Sequence, residues 1–320
     1  MREKKAHFRT RGDFWAITSY FNPTNANRRL QNYRRFRESL NVPLIAVEWA
    51  WSEGPGFQLR ADDAEILIQV SGPDLLWQKE RLLNLAIDQL PESCRYSAWL
   101  DCDVLFEDRD WHHSAARMLD QVPLVQPYSR LINLDAWHRP IAEGEPGGGA
   151  RSPIGDKTRW AGLPEDFLEH EFTGLSIACG YAWAARADLL RKHGLYDACI
   201  MGGGDRAIFY AAIGRHDEAA AYLKMSEVRL RHYMDWAIPF LGEVQGKTGW
   251  IPGAMRNMWH GPIQKRRYED RHKGFRKFDF DPYRDVVIGV DSEWRWASAK
   301  EDMHRYLVDY FFSRGENLEP

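Results

Sequence analysis

Tyr96-Ser97-Ala98-Trp99-Leu100-Asp101-Cys102-Asp103-Val104-Leu105-Phe106 is the stretch on which the reading of this chain turns. An apolar run leads into two carboxylates spaced i, i+2 and closes with an apolar triplet. As one strand, residues 96–106 put Asp101 and Asp103 on one side and Cys102 on the other. Two carboxylates side by side at the mouth of a buried strand repel and lose hydration, which is costly unless a cation lies between them. Hard oxygen donors suit Mn²⁺ or Mg²⁺, and such an ion in turn grips a diphosphate. The alternative is a strand end running into a solvated turn. Ligands of open α/β sheets gather at the carboxyl ends of strands, which favours a site.

Upstream, Phe14 to Tyr20 reads as a first buried strand that ends in the turn-rich Phe21-Asn22-Pro23-Thr24-Asn25. Leu30, Tyr33, Phe36 and Leu40 then recur at helical spacing. Val42 to Trp49 and Ala64 to Val70 are apolar runs too short for helices. Leu75 to Leu90 is helical, with apolar residues at three- and four-residue steps, and Pro91 ends it. This alternation argues for an α/β fold, Rossmann-like, with a mostly parallel central sheet flanked by helices. The loop from Ser19 to Asn25 then opens on the same edge as Asp101 and Asp103.

Downstream, residues 141–160 are rich in glycine and proline and have no periodicity, as in a spacer or a lid over a substrate. Ala187 to His193 is a short helix stopped by Gly194. Gly202-Gly203-Gly204-Asp205 precedes a helical stretch, Ala207 to Ile213. Such glycines permit positive φ and close approach of the backbone to a ligand. Asp205 is then either a helix cap or a substrate-binding or catalytic carboxylate, and three glycines in a row favour the second. Asn257-Met258-Trp259-His260-Gly261-Pro262 sets His260 on a turn, where a neutral imidazole can complete a carboxylate metal site. The following Lys265, Arg266, Arg267 and Arg271 suit phosphate, or form a solvated face with Glu269 and Asp270. Tyr283 to Trp296 reads as a short strand or loop pair, and 299–313 as an amphipathic helix through Met303, Leu307, Tyr310 and Phe311.

The chain's 320 residues, 44% of them hydrophobic, can bury a sizeable core. A net charge of −3 recruits neither nucleic acid nor an anionic membrane globally. The four cysteines lack Cys-x-x-Cys spacing, as expected of reduced thiols in a cytoplasmic chain. No apolar segment follows the charged Met1–His7, and no run approaches a membrane span, so the expectation is a soluble protein or one loosely attached to an inner membrane face. The 14 tryptophans and 13 tyrosines suit either a Trp-rich core or a site for a sugar or base.

Taken in order, Phe21-Asn22-Pro23, Trp77-Gln78-Lys79-Glu80-Arg81-Leu82-Leu83-Asn84, Asp101-Cys102-Asp103, Gly202-Gly203-Gly204-Asp205 and Met258-Trp259-His260 resemble a GT-A-type glycosyltransferase. The likeness is to the β-1,4-galactosyltransferase-like group and its bacterial relatives, over roughly residues 14–275. It implies one glycosyltransferase domain over 1–298, with a nucleotide and metal half about 14–135, an acceptor half about 160–275, and a C-terminal helix and tail over 299–320. It further implies Mn²⁺ (or Mg²⁺) on Asp103 and His260 with Asp101 at the metal or ribose, and Asp205 as the base that deprotonates the acceptor hydroxyl. Nucleotide-sugar contacts are implied at Phe21, Asn22, Trp77, Lys79, Arg81, Asp101, Gly203, Gly204 and Lys265. The partners would be a nucleoside diphosphate sugar, UDP-linked, and a carbohydrate or glycoconjugate acceptor. Two departures stand out: Gly204 occupies the place of an expected acid, and Arg206 replaces the acid expected after Asp205. Met258 would be a third protein ligand, although a thioether is a soft donor for Mn²⁺.

The chemistry needs the same groups. Departing phosphates must be neutralised, which a divalent ion does as a Lewis acid, and the attacking hydroxyl must lose its proton to a carboxylate. A single base opposite the leaving group predicts inversion at the anomeric carbon. A retaining transferase with the same sheet, and a non-catalytic sugar- or nucleotide-binding module, are the competing readings.

Overall fold

Strand β1 (Phe14–Phe21) is buried along its whole length, and its side chains alternate between two cores. Trp15, Ile17 and Phe21 enter one, while Phe14, Ala16 and Tyr20 enter the other. The same period-two division holds in β2 (Leu44–Trp51), where Ile45, Val47 and Trp49 oppose Leu44 and Ala46. A sheet apolar on both faces must be covered on both faces, which is the α/β arrangement expected from the alternation of elements. The computed structural model describes residues 12–142, 150–151, 176–177 and 179–317. Most of the expected loop over 141–160, and the segment Trp160 to Phe172 assigned to the acceptor half, lie outside these residues.

The large sheet also contains β3 (Ile66–Gly72), β4 (Tyr96–Leu100), β6 (Leu124–Gln126), β10 (Ala182–Arg186) and β11 (Thr248–Trp250). Among the described residues its order is β11-β6-β10-β4-β1-β2-β3. β1, β2, β3 and β4 run parallel to their neighbours, as do β6 and β11, while β10 runs antiparallel between β4 and β6. Helices α1 (Asn27–Ser39) and α3 (Trp111–Leu119) cover one face through Tyr33, Phe36, Trp111, Ala115 and Leu119. Helix α2 (Lys79–Asp88), with α4 (Ala187–His193), α5 (Gly204–Ala212), α6 (His216–Leu223) and α7 (Glu227–Val244), covers the other.

The 96–106 stretch is two strands, not one. β4 ends at Leu100, Asp101–Asp103 form a turn, and β5 (Val104–Phe106) enters a second sheet ordered β5-β12-β7-β8-β9. That sheet holds β7 (Arg130–Asn133), β8 (Ala150–Arg151), β9 (Ser176–Ile177) and β12 (Ala254–Asn257). The i, i+2 argument for Asp101 and Asp103 therefore does not apply, because no continuous pleat carries them. A hairpin, β13 (Val286–Ile288) and β14 (Trp294–Trp296), lies beside a third apolar cluster. In that cluster Met303, Leu307 and Tyr310 of α9 (Glu301–Ser313) pack on Leu76, Ile200 and Met201, with Phe275 of the short helix α8 (Asp270–Phe275). The C-terminal helix thus sits on the loops that precede α2 and α5. Among the described residues, no helix is long and apolar enough to cross a membrane. All four cysteines are buried and free.

Candidate active site

Several chain ends meet at the carboxyl edge of β4. β10 begins there because it runs antiparallel, with Ala182 opposite Leu100. The Asp101 amide donates to the Tyr181 carbonyl at 2.8 Å, fixing the start of the turn. Asn257 of β12 pairs with Val104, and the ladder goes one residue further, the Met258 amide donating to the Asp103 carbonyl at 2.8 Å. Two residues later His260 arrives beside Asp103. The first turn of α2 approaches from the other side, held by the Trp77 amide on the Ile200 carbonyl at 3.0 Å. That contact sets Lys79 beside the first turn of α5, which carries Asp205.

Lys79 is the hub. Its Nζ is 2.5 Å from Asp101 Oδ1 and 2.7 Å from Asp205 Oδ2. Burial disfavours its charge, but Asp101 and Asp205 outweigh that and keep the amine protonated far above neutrality. Asp101 is pushed up to about 6 by burial, which the lysine only partly offsets while Asp205 adds repulsion. Asp205 does not cap its helix. The α5 N-cap is Gly203, at φ 90°, preceded by Gly202 at φ 80°, and both need the freedom of glycine. With its Oδ2 on Lys79, Asp205 has a second oxygen, Oδ1, that accepts no hydrogen bond. A Cβ on Gly180 would stand 3.1 Å from Asp205 Oδ2, so a larger residue there would press on that carboxylate.

Asp103 takes a different partner, His260, with Oδ2 to Nδ1 at 3.0 Å. Burial would raise the Asp103 carboxyl, but the His260 hydrogen bond and the cations Arg29 and Arg266 hold it below the ordinary range, ionised at neutral pH. Burial and the adjacent Arg266 hold His260 down, against the pull of Asp103, so the imidazole is neutral. As the groups stand, Nδ1 faces Asp103 and the Met258 carbonyl at 3.1 Å, and Nε2 meets the Arg266 guanidinium.

An ionised carboxylate and a neutral imidazole are the protonation states a divalent ion requires of its ligands. As the groups stand the 3.0 Å contact is a hydrogen bond, and Asp103 and His260 would hold the ion in its place. Among the described residues no three His, Cys, Asp or Glu side chains converge as a metal cluster. The remaining positions would fall to phosphate oxygens and water, the usual shell of Mg²⁺ on a nucleotide. Asp101 does not converge with the pair in this arrangement: its carboxylate is spent on Lys79, because the turn splits it from Asp103.

The other expected contact residues have the following partners within the chain. Asn22 accepts from the Ala26 amide at 2.8 Å and donates to the Ala26 carbonyl and Gln58, which ties the β1–α1 loop. Phe21 is buried edge-on against Trp77 and Phe311. Arg81 binds the Ser292 carbonyl at 2.6 Å and Asp197 at 3.1 Å, joining α2 to the β13–β14 hairpin. Lys265 is exposed on a 3₁₀ turn, and its neighbour Arg266 is the residue that turns inward to His260. Sequence reasoning also passed over Glu80. Its side chain is 1% exposed and its carboxyl oxygens have no partner. It lies where a Cβ on Gly204 would be. Burial and the Asp205 carboxylate push Glu80 up to about 8, against the pull of Lys79. The absence of a side chain at Gly204, noted as a departure, was the available signal that something else fills that space.

No family model matches the chain, and no curated protein does. Among solved structures, S. aureus TarS 1–349 is 9% identical, with a TM-score of 0.37 over 94% of this chain and 72% of that one. A mannosyltransferase from Pyrobaculum calidifontis, in complex with GDP-Man and Mn²⁺, is 12% identical, with a TM-score of 0.40 over 83% of this chain and 62% of that one. This chain thus spans less than two thirds of that enzyme. Glucosyl-3-phosphoglycerate synthase from Mycobacterium tuberculosis, in complex with Mn²⁺ and UDP-glucose, is 11% identical, with a TM-score of 0.39 over 88% of this chain and 86% of that one.

Proposed function

We propose that this chain is a GT-A-type glycosyltransferase that moves a sugar from a nucleoside diphosphate donor, UDP-linked, to a hydroxyl of a carbohydrate or glycoconjugate, with inversion. The observation that carries the reading is the Lys79 bridge, which couples a carboxylate of the Asp101–Asp103 turn to Asp205 at the mouth of a mostly parallel sheet. Fold position alone is a weak guide to activity, and the argument therefore rests on these groups. The motif order that resembles the β-1,4-galactosyltransferase-like group supports the same assignment.

In this reading the acceptor oxygen attacks the anomeric carbon while the bond from that carbon to the diphosphate breaks. The bond electrons leave with the diphosphate, and the hydroxyl proton passes to the Asp205 carboxylate. Lys79 fixes Asp205 in orientation and balances the charge of both carboxylates. Asp103 and His260 would hold the divalent ion, which when bound neutralises charge on the departing phosphates. Arg266, beside His260, adds a fixed cation on the same side.

Calorimetric titration of UDP, with and without Mn²⁺, on the native chain and on Asp103→Ala, tests the site. Binding that needs both the metal and Asp103 supports it. Binding indifferent to both removes the donor site from this turn. Product analysis with the preferred UDP-sugar then tests inversion, and a retained anomeric configuration would take the base role from Asp205.

A further inference from the structure

The turn that follows α9 brings Arg314 and Glu316 back to the mouth of the sheet. Glu316 is 8% exposed, and its Oε1 lies 3.1 Å from Arg29 Nη1 and 2.8 Å from Arg314 Nη2. Arg29 comes from the first turn of α1. The tail passes against Gly261, where a Cβ would meet the carbonyls of Arg314 and Gly315 at 3.2 and 3.3 Å. Asn317 then donates to the Thr24 carbonyl at 2.7 Å, pinning the tail to the β1–α1 loop.

This cage has more donors than its single carboxylate satisfies. Arg29 Nε, Arg314 Nε and Trp77 Nε1 are buried without a hydrogen-bond partner, and the Arg314 guanidinium lies 5.0 Å over the Trp77 ring. Native structures leave few such donors unpaired, and each one calls for a reason. The cage also adjoins the candidate donor site. Arg29 bears electrostatically on Asp103, and Arg266 on Glu316. Burial would raise the Glu316 carboxyl, but the two guanidiniums hold it at about 2, so it is an anion at any working pH.

We propose that the Arg29–Arg314 cage is a binding site for a phosphoryl group of the donor diphosphate, kept formed and closed by the Glu316 carboxylate until the donor displaces it. The inference rests on the nucleotide-sugar reading above. A carboxylate offers two coplanar oxygens. The donor diphosphate presents four non-bridging oxygens, two on each tetrahedral phosphorus, and two negative charges, and so reaches donors that Glu316 leaves unpaired. Until then Glu316 holds two cations together that would otherwise repel.

The test is calorimetric titration of inorganic diphosphate into the full chain without added metal. Glu316→Gln should bind diphosphate about tenfold more tightly than the native chain, the usual scale of coupling between competing sites. Adding Arg314→Met should abolish that gain. Unchanged or weaker binding in a Glu316→Gln protein that melts like the native one overturns the proposal. Hydrogen exchange on the native chain is a second measurement that needs no variant. Diphosphate should speed exchange at the amides of residues 314–317, and unchanged or slower exchange with diphosphate bound overturns displacement. The two readings fail separately. A gain in diphosphate affinity without consumption of any UDP-sugar keeps the cage and sinks the transferase. Sugar transfer with no gain in Glu316→Gln does the reverse.

Discussion

Lys79 and Asp205 lie 126 positions apart in sequence, and the lysine Nζ stands 2.7 Å from the aspartate Oδ2. The contact joins the first turns of two helices that leave the same sheet edge. It leaves the other oxygen of Asp205, Oδ1, buried and without a hydrogen-bond partner.

Asp205→Asn keeps the shape of the side chain and its bond to Lys79 but cannot take a proton. Transfer should fall by about 10²–10⁴-fold, the usual contribution of a general base. If Asp205 is the base toward the acceptor, UDP affinity, measured by calorimetry, should stay within about threefold of native. Transfer near the native rate would remove it from the chemistry.

Lys79→Met leaves Asp101, Asp205 and Glu80 without their shared cation. Breaking a buried pair in this way costs about 3–5 kcal/mol, so the variant should melt well below the native chain at pH 7. The loss should shrink at pH 5. Asp101, already at about 6 beside the lysine, rises further without it, and protons then replace the missing charge. Thermal melts at the two pH values decide the matter, and a deficit equal at both would count against this account.

Glu80 predicts a pH dependence of opposite sense to that of an ordinary paired carboxylate. Its folded value, about 8, lies above the ordinary carboxylate value of about 4.5, so the folded chain holds the proton more tightly. The resulting stability is whole below about pH 4.5 and is lost as pH rises towards about 8. Glu80→Gln mimics the protonated form at every pH. Its melting temperature should match the native value near pH 5 and exceed it by a few degrees near pH 8.5. Equal melting curves across the range would show that Glu80 ionises without cost.

Gly204 is not at a positive φ, so the backbone there accepts alanine. The Glu80 carboxyl does not accept it, since it occupies the place of the new methyl. Gly204→Ala should cost about 1–3 kcal/mol, as overpacking does. In a Glu80→Ala background the cost should largely vanish, and denaturant unfolding of the double-mutant cycle measures that coupling. Additive effects would refute the contact.

The α/β class was legible because period-two burial in β1 and β2 and the helical spacing in α1 and α2 are local patterns. The break at Leu100 was not legible. Both sides of it are apolar, and what ends β4 is the pairing of Asp103 with Met258, which no local pattern encodes. The same limit separated Lys265 from Arg266. Two adjacent cations look alike in sequence, and only the 3₁₀ turn decides that the arginine points to His260. Asn22 and Arg81 were singled out by motif position, and their hydrogen-bond partners within the chain, Ala26, Gln58, Ser292 and Asp197, follow no local pattern. Asp103, His260, Lys79 and Asp205 were each picked out from sequence, but not their sorting into two pairs of contacts.

The turn after α9 bears on the order of synthesis. A ribosome that has made residues 1–257 has made Lys79, Asp101, Asp103 and Asp205, yet neither His260 nor the side chains of Arg314 and Glu316. The large sheet has all its strands by Trp250 and can form as the chain emerges. The Asp103 pair closes only once His260 has been added, and the Arg29 cage only when α9 and the turn after it dock. A chain that stops short of residue 314 therefore holds a nearly finished sheet without the Arg29 cage.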